Sequence, residues 1–219
     1  MSREKTDDEL KTHKEQAISA LSSYMDSLIS SDDSRLKGKA DKLSYWLQDW
    51  TRFLDFEPQF NAQSLRRYKR GEIIKVHLGF NVGSEEGGLH YAVVIEKNNP
   101  KSSPVITIVP LTSVKPGVDV RNLKRGSLFL GNELFTSLSA KLSATERHFN
   151  DEINLMLNSE SFLQNPDSAS RIQRCQRELF LLGMMRREIS SMKRGSIALI
   201  NLITTISKIR IYDPKTDHD

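Results

Sequence analysis

The chain has 219 residues, of which 37% are apolar, and its 32 Lys and Arg against 28 Asp and Glu leave a formal charge of +4. That length suffices for one domain with a large insertion or for two small ones, and the mild basic excess permits a polyanionic partner without requiring it. No apolar run approaches the ~20 residues of a bilayer-spanning helix, and the single cysteine, Cys175, excludes an internal disulfide, so a cytoplasmic protein with no membrane contact is expected.

The first residues, MSREKTDDELKTHKEQ, carry charge from the third position and have no apolar centre, so no secretory signal is expected there. Ile18, Leu21, Met25 and Leu28 recur at spacings of three and four and predict a helix on which His13 is solvated. Leu43, Trp46, Trp50, Phe53 and Leu54 predict a second, with the Ser/Asp cluster at 30–34 as break and N-cap. Trp46 and Trp50 share a face. Exposed aromatics can stack on bases, but at helical spacing beside leucines their expected place is the core.

The composition then changes. Eight of the eleven glycines lie between 71 and 131, together with four of the seven prolines. GEIIKVHLG, YAVVIEK and PVITIVPLTS, with the weaker GSLFLG, read as short strands of a small barrel or strongly curled sheet. A second helical block spans about 135–192. One stripe runs through Leu138, Leu142, Phe149, Ile153 and Met156, another through Ile172, Cys175, Leu179, Leu182, Ile189 and Met192. Together they predict a helical hairpin, with Asp167 or Ser168 as N-cap after Pro166, Cys175 as a buried inert thiol and His148 at the surface. After Gly195, SIALINLITTISKIRIY predicts one or two strands rejoining the sheet, followed by a polar tail in which His218 is expected to be disordered.

The chain has no CxxC and no HExxH, and His77 and His90 have no neighbouring cysteine or carboxylate cluster, so neither metal nor cofactor is expected. GSEEGG lacks the lysine and following helix of a phosphate-binding P-loop. The remaining candidate is the loop NVGSEEGGLHY, where glycines at 83, 87 and 88 allow the backbone to turn successive N–H groups toward an anion. A plain flexible hairpin loop is the other reading of the same residues.

RGEIIKVHLGFNVGSEEGGLHYAVVIEKNN followed by SPVITIVPLTS resembles the MazF/PemK family of ribonuclease toxins, whose opening reads approximately RGDIYWVDLxPxxGSEQGGxRPVVVIQND with a PLT-like strand end next. SIALINLITTISKIRI is similar to the family's later stretch, so residues 70–131 and 195–211 carry the resemblance. It implies an α+β chain built on a small SH3-like β-barrel of PemK/CcdB type, residues 70–212. The N-terminal helical extension covers 1–69, the helical insertion about 135–192 and the polar tail 213–219. It also implies a homodimer, a cognate antitoxin and metal-independent cleavage of single-stranded RNA, mRNA included. In that chemistry the substrate's 2′-hydroxyl attacks the adjacent phosphodiester and leaves a 2′,3′-cyclic phosphate and a 5′-hydroxyl. By this resemblance Thr112 and the residue at position 90 are catalytic, with Arg70, Gly83, Ser84, Glu85, Gly87, Gly88 and Ser113 binding RNA.

The departures matter as much. The arginine that follows GG in the family is His90 here, a residue able to exchange a proton but lacking the bidentate grip of a guanidinium. Another cation is then needed for the transition-state charge, with Lys97, Arg70 and Arg210 as candidates. In the later stretch Asn201 and Thr204 replace charged residues, whereas Thr205 and Lys208 persist; His77 stands near the end of the first strand, expected in solvent or near the cleft. The helical additions are open to three roles: covering the groove, forming an interface or decorating the fold. Two functions follow, an endoribonuclease toxin of a toxin–antitoxin or phage-defence module, or a catalytically inactive MazF/CcdB-like module that grips a protein or nucleic acid.

Overall fold

The computed structural model of the chain describes residues 5–158, 168–190 and 192–216. Asp167, Pro166 and His218 lie outside the described residues.

Helix α1, Asp7–Ile29, opens with a capping box in which the Thr6 hydroxyl accepts from the Glu9 N–H while the Glu9 carboxylate accepts from the Thr6 N–H. Helix α2, Ser34–Phe56, is capped by Asp33, whose carboxylate accepts the Arg35 N–H at 2.8 Å. The two helices pack against each other, and Leu28, Ala40 and Leu43 are the buried residues of the pair. The expected stripe of α1 is otherwise thinly covered: Ile18 is 60% exposed.

Among the described residues nine short strands follow: β1 Tyr68–Lys69, β2 Ile73–His77, β3 Leu89–Val94, β4 Asn98–Asn99, β5 Val105–Ser113, β6 Ser127–Phe129, β7 Ser196–Leu199, β8 Thr204–Ser207 and β9 Ile211–Asp213. β1 and β4 form a separate ladder; the others form one antiparallel sheet in the order β6-β7-β5-β3-β2-β9, with β8 also on β5. β6 and β9 are the outer strands and no ladder joins them, so among the described residues the sheet is open.

The stretch after Gly195 makes three strands, where one or two were expected. Leu111 faces Ala198 and Ile108 faces Thr204, so three steps along β5 correspond to six along the returning chain. The 3₁₀ turn Ile200–Leu202 absorbs the difference, and a second 3₁₀ turn, Lys208–Arg210, separates β8 from β9. The first residues of the tail are pinned: the Tyr68 hydroxyl donates to Pro214 O at 2.7 Å and the Arg66 N–H to Lys215 O at 2.9 Å.

Strand alternation sorts the apolar residues onto two covered faces. One face carries Ile74, Val76, Leu78, Ala92, Val94, Ile106, Ile108, Ile206 and Ile211 in a single cluster closed by Leu65 and Tyr68. The other presents Tyr91, Val109, Leu111 and Ala198 to Leu134, Leu138 and Met192 of the insertion. Burying one leucine-sized side chain stabilises by about 1.5–3 kcal/mol, and this second face is what makes the insertion part of the fold.

The described residues of the insertion form a pair of packed helices, α3 Glu133–Leu157 and α4 Ser168–Ser190. The predicted stripes meet as Leu142 with Leu182 and Ile189, and as Met156 with Cys175, which is fully buried. Ser168 begins α4. An ion pair ties α4 to the sheet: Lys75 Nζ is 2.8 Å from Glu188 Oε2, and the same ammonium lies 5.5 Å from the ring centres of Tyr91 and Tyr212.

Candidate active site and the glycine loop

The β2–β3 hairpin extends past its ladder to hold the glycine loop shut. The Leu78 N–H donates to Gly88 O at 2.8 Å and the Gly88 N–H to Gly79 O at 2.7 Å. Gly88 takes φ +82°, and a Cβ on Gly87 would stand 2.7 Å from the Gly79 carbonyl oxygen, so both positions require glycine. The Asn81 amide closes the loop from inside, donating to Glu86 O at 2.6 Å. Ser84 and Glu85 are at its exposed tip with Gly83.

The ladder of β3 with β5 ends where Ala92 faces Pro110, and beyond it His90 and Thr112 line one cleft. The His90 Nδ1 lies 3.3 Å from Leu111 O. A carbonyl only accepts, so this bond places the proton on Nδ1 and leaves Nε2 as the exchanging nitrogen. Nε2 in turn is 3.5 Å from Glu86 Oε2.

His90, Thr112 and Ser113 share a cleft of about 180 Å³ with Tyr91, Lys115, Glu188 and Ser196, walled on one side by Leu134 and Met192. The helical insertion therefore borders this cleft, and α1 and α2 contribute no lining residue to it. Burial, reinforced by Glu188 and Asp213, pushes the Tyr91 phenol far above its ordinary value, so it donates hydrogen bonds and is no general base. Glu188 is neutralised by Lys75. Lys115 has no ion-pair partner among the described residues and is exposed at the end of β5. Its backbone is set by a turn in which the Val118 N–H donates to Lys115 O at 3.3 Å, with Pro116 and Gly117, φ +82°, at the centre.

Of the RNA-binding candidates, Ser113 is in this cleft and Gly87 and Gly88 shape the loop beside it. Arg70 is at the far end of β2, where its Nε donates to Ile95 O at 2.7 Å. Lys97 and Arg210 do not line the cleft either. The cation that does line the cleft is Lys115, three residues after Thr112 in VKPG; with Glu86, Tyr91 and Glu188 it is not among the residues the sequence singled out. The signal for Lys115 was its place just before a Pro-Gly turn at a strand end. Lys208 belongs to the scaffold: it is 1% exposed and its Nζ donates to Pro100 O at 2.8 Å. Asn201 likewise bonds the backbone, to Arg125 O.

His77 is not a solvent-facing residue. Its ring stacks on Trp46 of α2 at 4.7 Å between centres, Phe53 meets it edge-on at 6.0 Å, and Nε2 is 3.3 Å from Asp49 Oδ2. Nδ1 accepts the Gly79 N–H at 3.1 Å, and Arg210, donating to His77 O at 2.7 Å, has its guanidinium 5.7 Å from the Trp46 ring centre. Trp46 is thus half-buried as a joint between α2 and the sheet, whereas Trp50 is 49% exposed and does not join the core.

No helix among the described residues is long and apolar enough to cross a membrane. No curated protein matches the chain significantly. Residues 69–124 match the family model described as PemK-like, MazF-like toxin of type II toxin-antitoxin system. The matched span runs from the start of the sheet through the glycine loop, His90, Thr112 and Lys115, and leaves out the four α-helices of the described residues. These 56 of the 219 residues, which carry the cleft, are thus similar to PemK-like, MazF-like toxins of type II toxin–antitoxin systems.

Proposed function

We propose that the chain is an endoribonuclease toxin that cuts single-stranded RNA at the His90–Thr112 cleft without a metal. The observation that carries this reading is the convergence, on one cleft of a PemK/MazF-like sheet, of a proton-exchanging imidazole, two hydroxyls and an unpaired ammonium. His90 Nε2 takes the proton of the 2′-hydroxyl as its oxygen attacks phosphorus, and Glu86 stabilises the imidazolium that results. Thr112 and Ser113 donate to the phosphoryl oxygens, and Lys115 meets the charge that builds on them. The bond from phosphorus to the 5′-oxygen then breaks, and the Lys115 ammonium is placed to give that oxygen its proton. The products are a 2′,3′-cyclic phosphate and a 5′-hydroxyl.

In this reading residues 70–212 are the functional unit, an SH3-like barrel in its open-sheet form with the helical insertion as one wall of the site, and residues 1–69 are an extension. A homodimer, a cognate antitoxin and a cytoplasmic setting accompany it, as in the toxin systems it resembles. One observation favours the second reading, a CcdB-like binder without catalysis: among the described residues no arginine lines the cleft. Identifying the ends left on mixed single-stranded RNA in excess chelator separates the two, since a binder leaves the RNA whole.

A further inference from the structure

We propose that α2 carries a nucleobase-stacking subsite for single-stranded RNA, with Tyr45 as its stacking face and Lys42 at its rim. The proposal rests on the ribonuclease reading and extends it to substrate outside the scissile phosphate.

A cleft of about 430 Å³ separates α2 from the glycine loop, with Lys42, Tyr45 and Trp46 on one side and Gly79, Asn81 and Gly87 on the other. That size is within the range of small-ligand sites. Tyr45 is 65% exposed and contributes nothing to either sheet core. Its position is nonetheless fixed, because the next residue, Trp46, is clamped between His77 at 4.7 Å and the Arg210 guanidinium at 5.7 Å. An exposed ring on a pinned helix is a preorganised stacking surface: little freedom is lost when a base settles on it.

A short relay of neighbouring residues links the cleft to the reaction site. The cleft shares Asn81 and Glu85 with a second cleft that reaches Glu86, and Glu86 stands 3.5 Å from His90. Charge decides which part of the nucleotide enters. Glu85 at the loop side repels a phosphate but not the uncharged face of a base, while Lys42, exposed and without an ion-pair partner among the described residues, is placed for the connecting phosphate. Stacking of this kind accepts any base, so the subsite lengthens the RNA gripped without dictating its sequence.

The test uses the full chain with Tyr45→Ala, Tyr45→Phe and Lys42→Met, and two substrates, a ribodinucleotide and a single-stranded RNA of a dozen nucleotides. Affinity is read separately on the same long RNA with 2′-O-methyl groups, which cannot be cut. Tyr45→Ala should weaken binding of the long RNA by about 5- to 150-fold and raise its KM, with kcat on the dinucleotide unchanged. Tyr45→Phe should bind as wild type does, and Lys42→Met should reduce the salt dependence by about one phosphate contact. A Tyr45→Ala protein that holds the long RNA as tightly as wild type would overturn the subsite, as expected if the cleft instead receives a peptide of a protein partner. Wild type that cuts both substrates while Tyr45→Ala is indistinguishable sinks the subsite alone; wild type that neither binds nor cuts RNA sinks the ribonuclease reading and the subsite with it.

Discussion

His90 Nε2 stands 3.5 Å from a carboxylate oxygen of Glu86, and its Nδ1 is 3.3 Å from Leu111 O, so the ring is oriented from both sides. The Leu111 bond sets the tautomer and Glu86 faces the nitrogen that accepts a proton, the division of labour that an acid–base imidazole needs. His90→Ala should lower kcat by about 10²- to 10⁴-fold. Glu86→Gln, which keeps the shape and removes the charge, should lower it by about 10-fold, ~1.4 kcal/mol of barrier, with KM little changed. Equal single-turnover rates for Glu86→Gln and wild type would leave Glu86 as a loop residue only.

Among the described residues Lys115 is the free cation of the cleft, since Glu188 is held by Lys75 and no arginine lines it. Lys115→Ala should slow cleavage by about 10- to 100-fold, below the range for a fully enclosed oxyanion donor because the ammonium is exposed. Lys115→Arg, which keeps the charge but does not give up its proton, should recover only part of the rate. Thermal melting should not move in either variant. A Lys115→Ala enzyme as fast as wild type contradicts the assignment.

Burial lowers the pKa of His77 from its ordinary 6.5; Asp49 opposes the shift and Arg210 adds to it. The unfolded chain therefore takes up this proton more readily than the folded one. The contribution to stability is whole above pH 6.5 and is lost as pH falls from there through the folded value. Protonation also places a hydrogen on Nδ1 against the Gly79 N–H, so the loss is felt at the joint with α2. Urea unfolding between pH 8 and 5 should show midpoints falling below pH 6.5 in wild type, and a smaller fall in His77→Gln. Parallel curves for the two would remove His77 from the pH response.

Gly87→Ala tests the loop. The added Cβ would be 2.7 Å from the Gly79 carbonyl oxygen, a backbone atom already bonded to the Gly88 N–H and unable to swing aside. The expected destabilisation is about 1–3 kcal/mol, with loss of cleavage because Glu86 and His90 lie on either side of the glycine pair. Thr112→Ala is the contrast: slower cleavage, with stability changed by no more than ~1.5 kcal/mol. Differential scanning calorimetry and initial rates read both, and a fully active Gly87→Ala would mean that the loop shape is dispensable.

Helices α1 to α4 and strands β2, β3 and β5 were legible because each repeats an apolar period over a long enough run, as Leu138 to Met156 and Ile73 to His77 do. The last stretch was not, because SIALINLITTIS has the composition of one strand. Its division at Ile200–Leu202 depends on the three-residue offset against β5, a tertiary property. His90 and Thr112 were named through the resemblance, and the structure brings both to the wall of one cleft. Glu86 had a reading only as part of GSEEGG; that it reaches back over four residues to His90 is a consequence of how the glycines fold the loop. The Trp46–His77 stack joins residues 31 positions apart in segments with no shared pattern, so periodicity assigned Trp46 to a helical core and His77 to the surface.

The most direct measurement of the central claim is the end chemistry of cut RNA. Purified full-length protein, held in excess chelator, is incubated with a single-stranded RNA and with the all-deoxy oligonucleotide of the same sequence, and the products are resolved by mass spectrometry. The predicted result is RNA fragments ending in a 2′,3′-cyclic phosphate and beginning with a 5′-hydroxyl, no cut in the DNA, and at least a hundredfold less product from His90→Ala, at the lower bound of about 10² for a positioned acid or base. Intact RNA, cleaved DNA, 5′-phosphate ends or activity abolished by the chelator would contradict it.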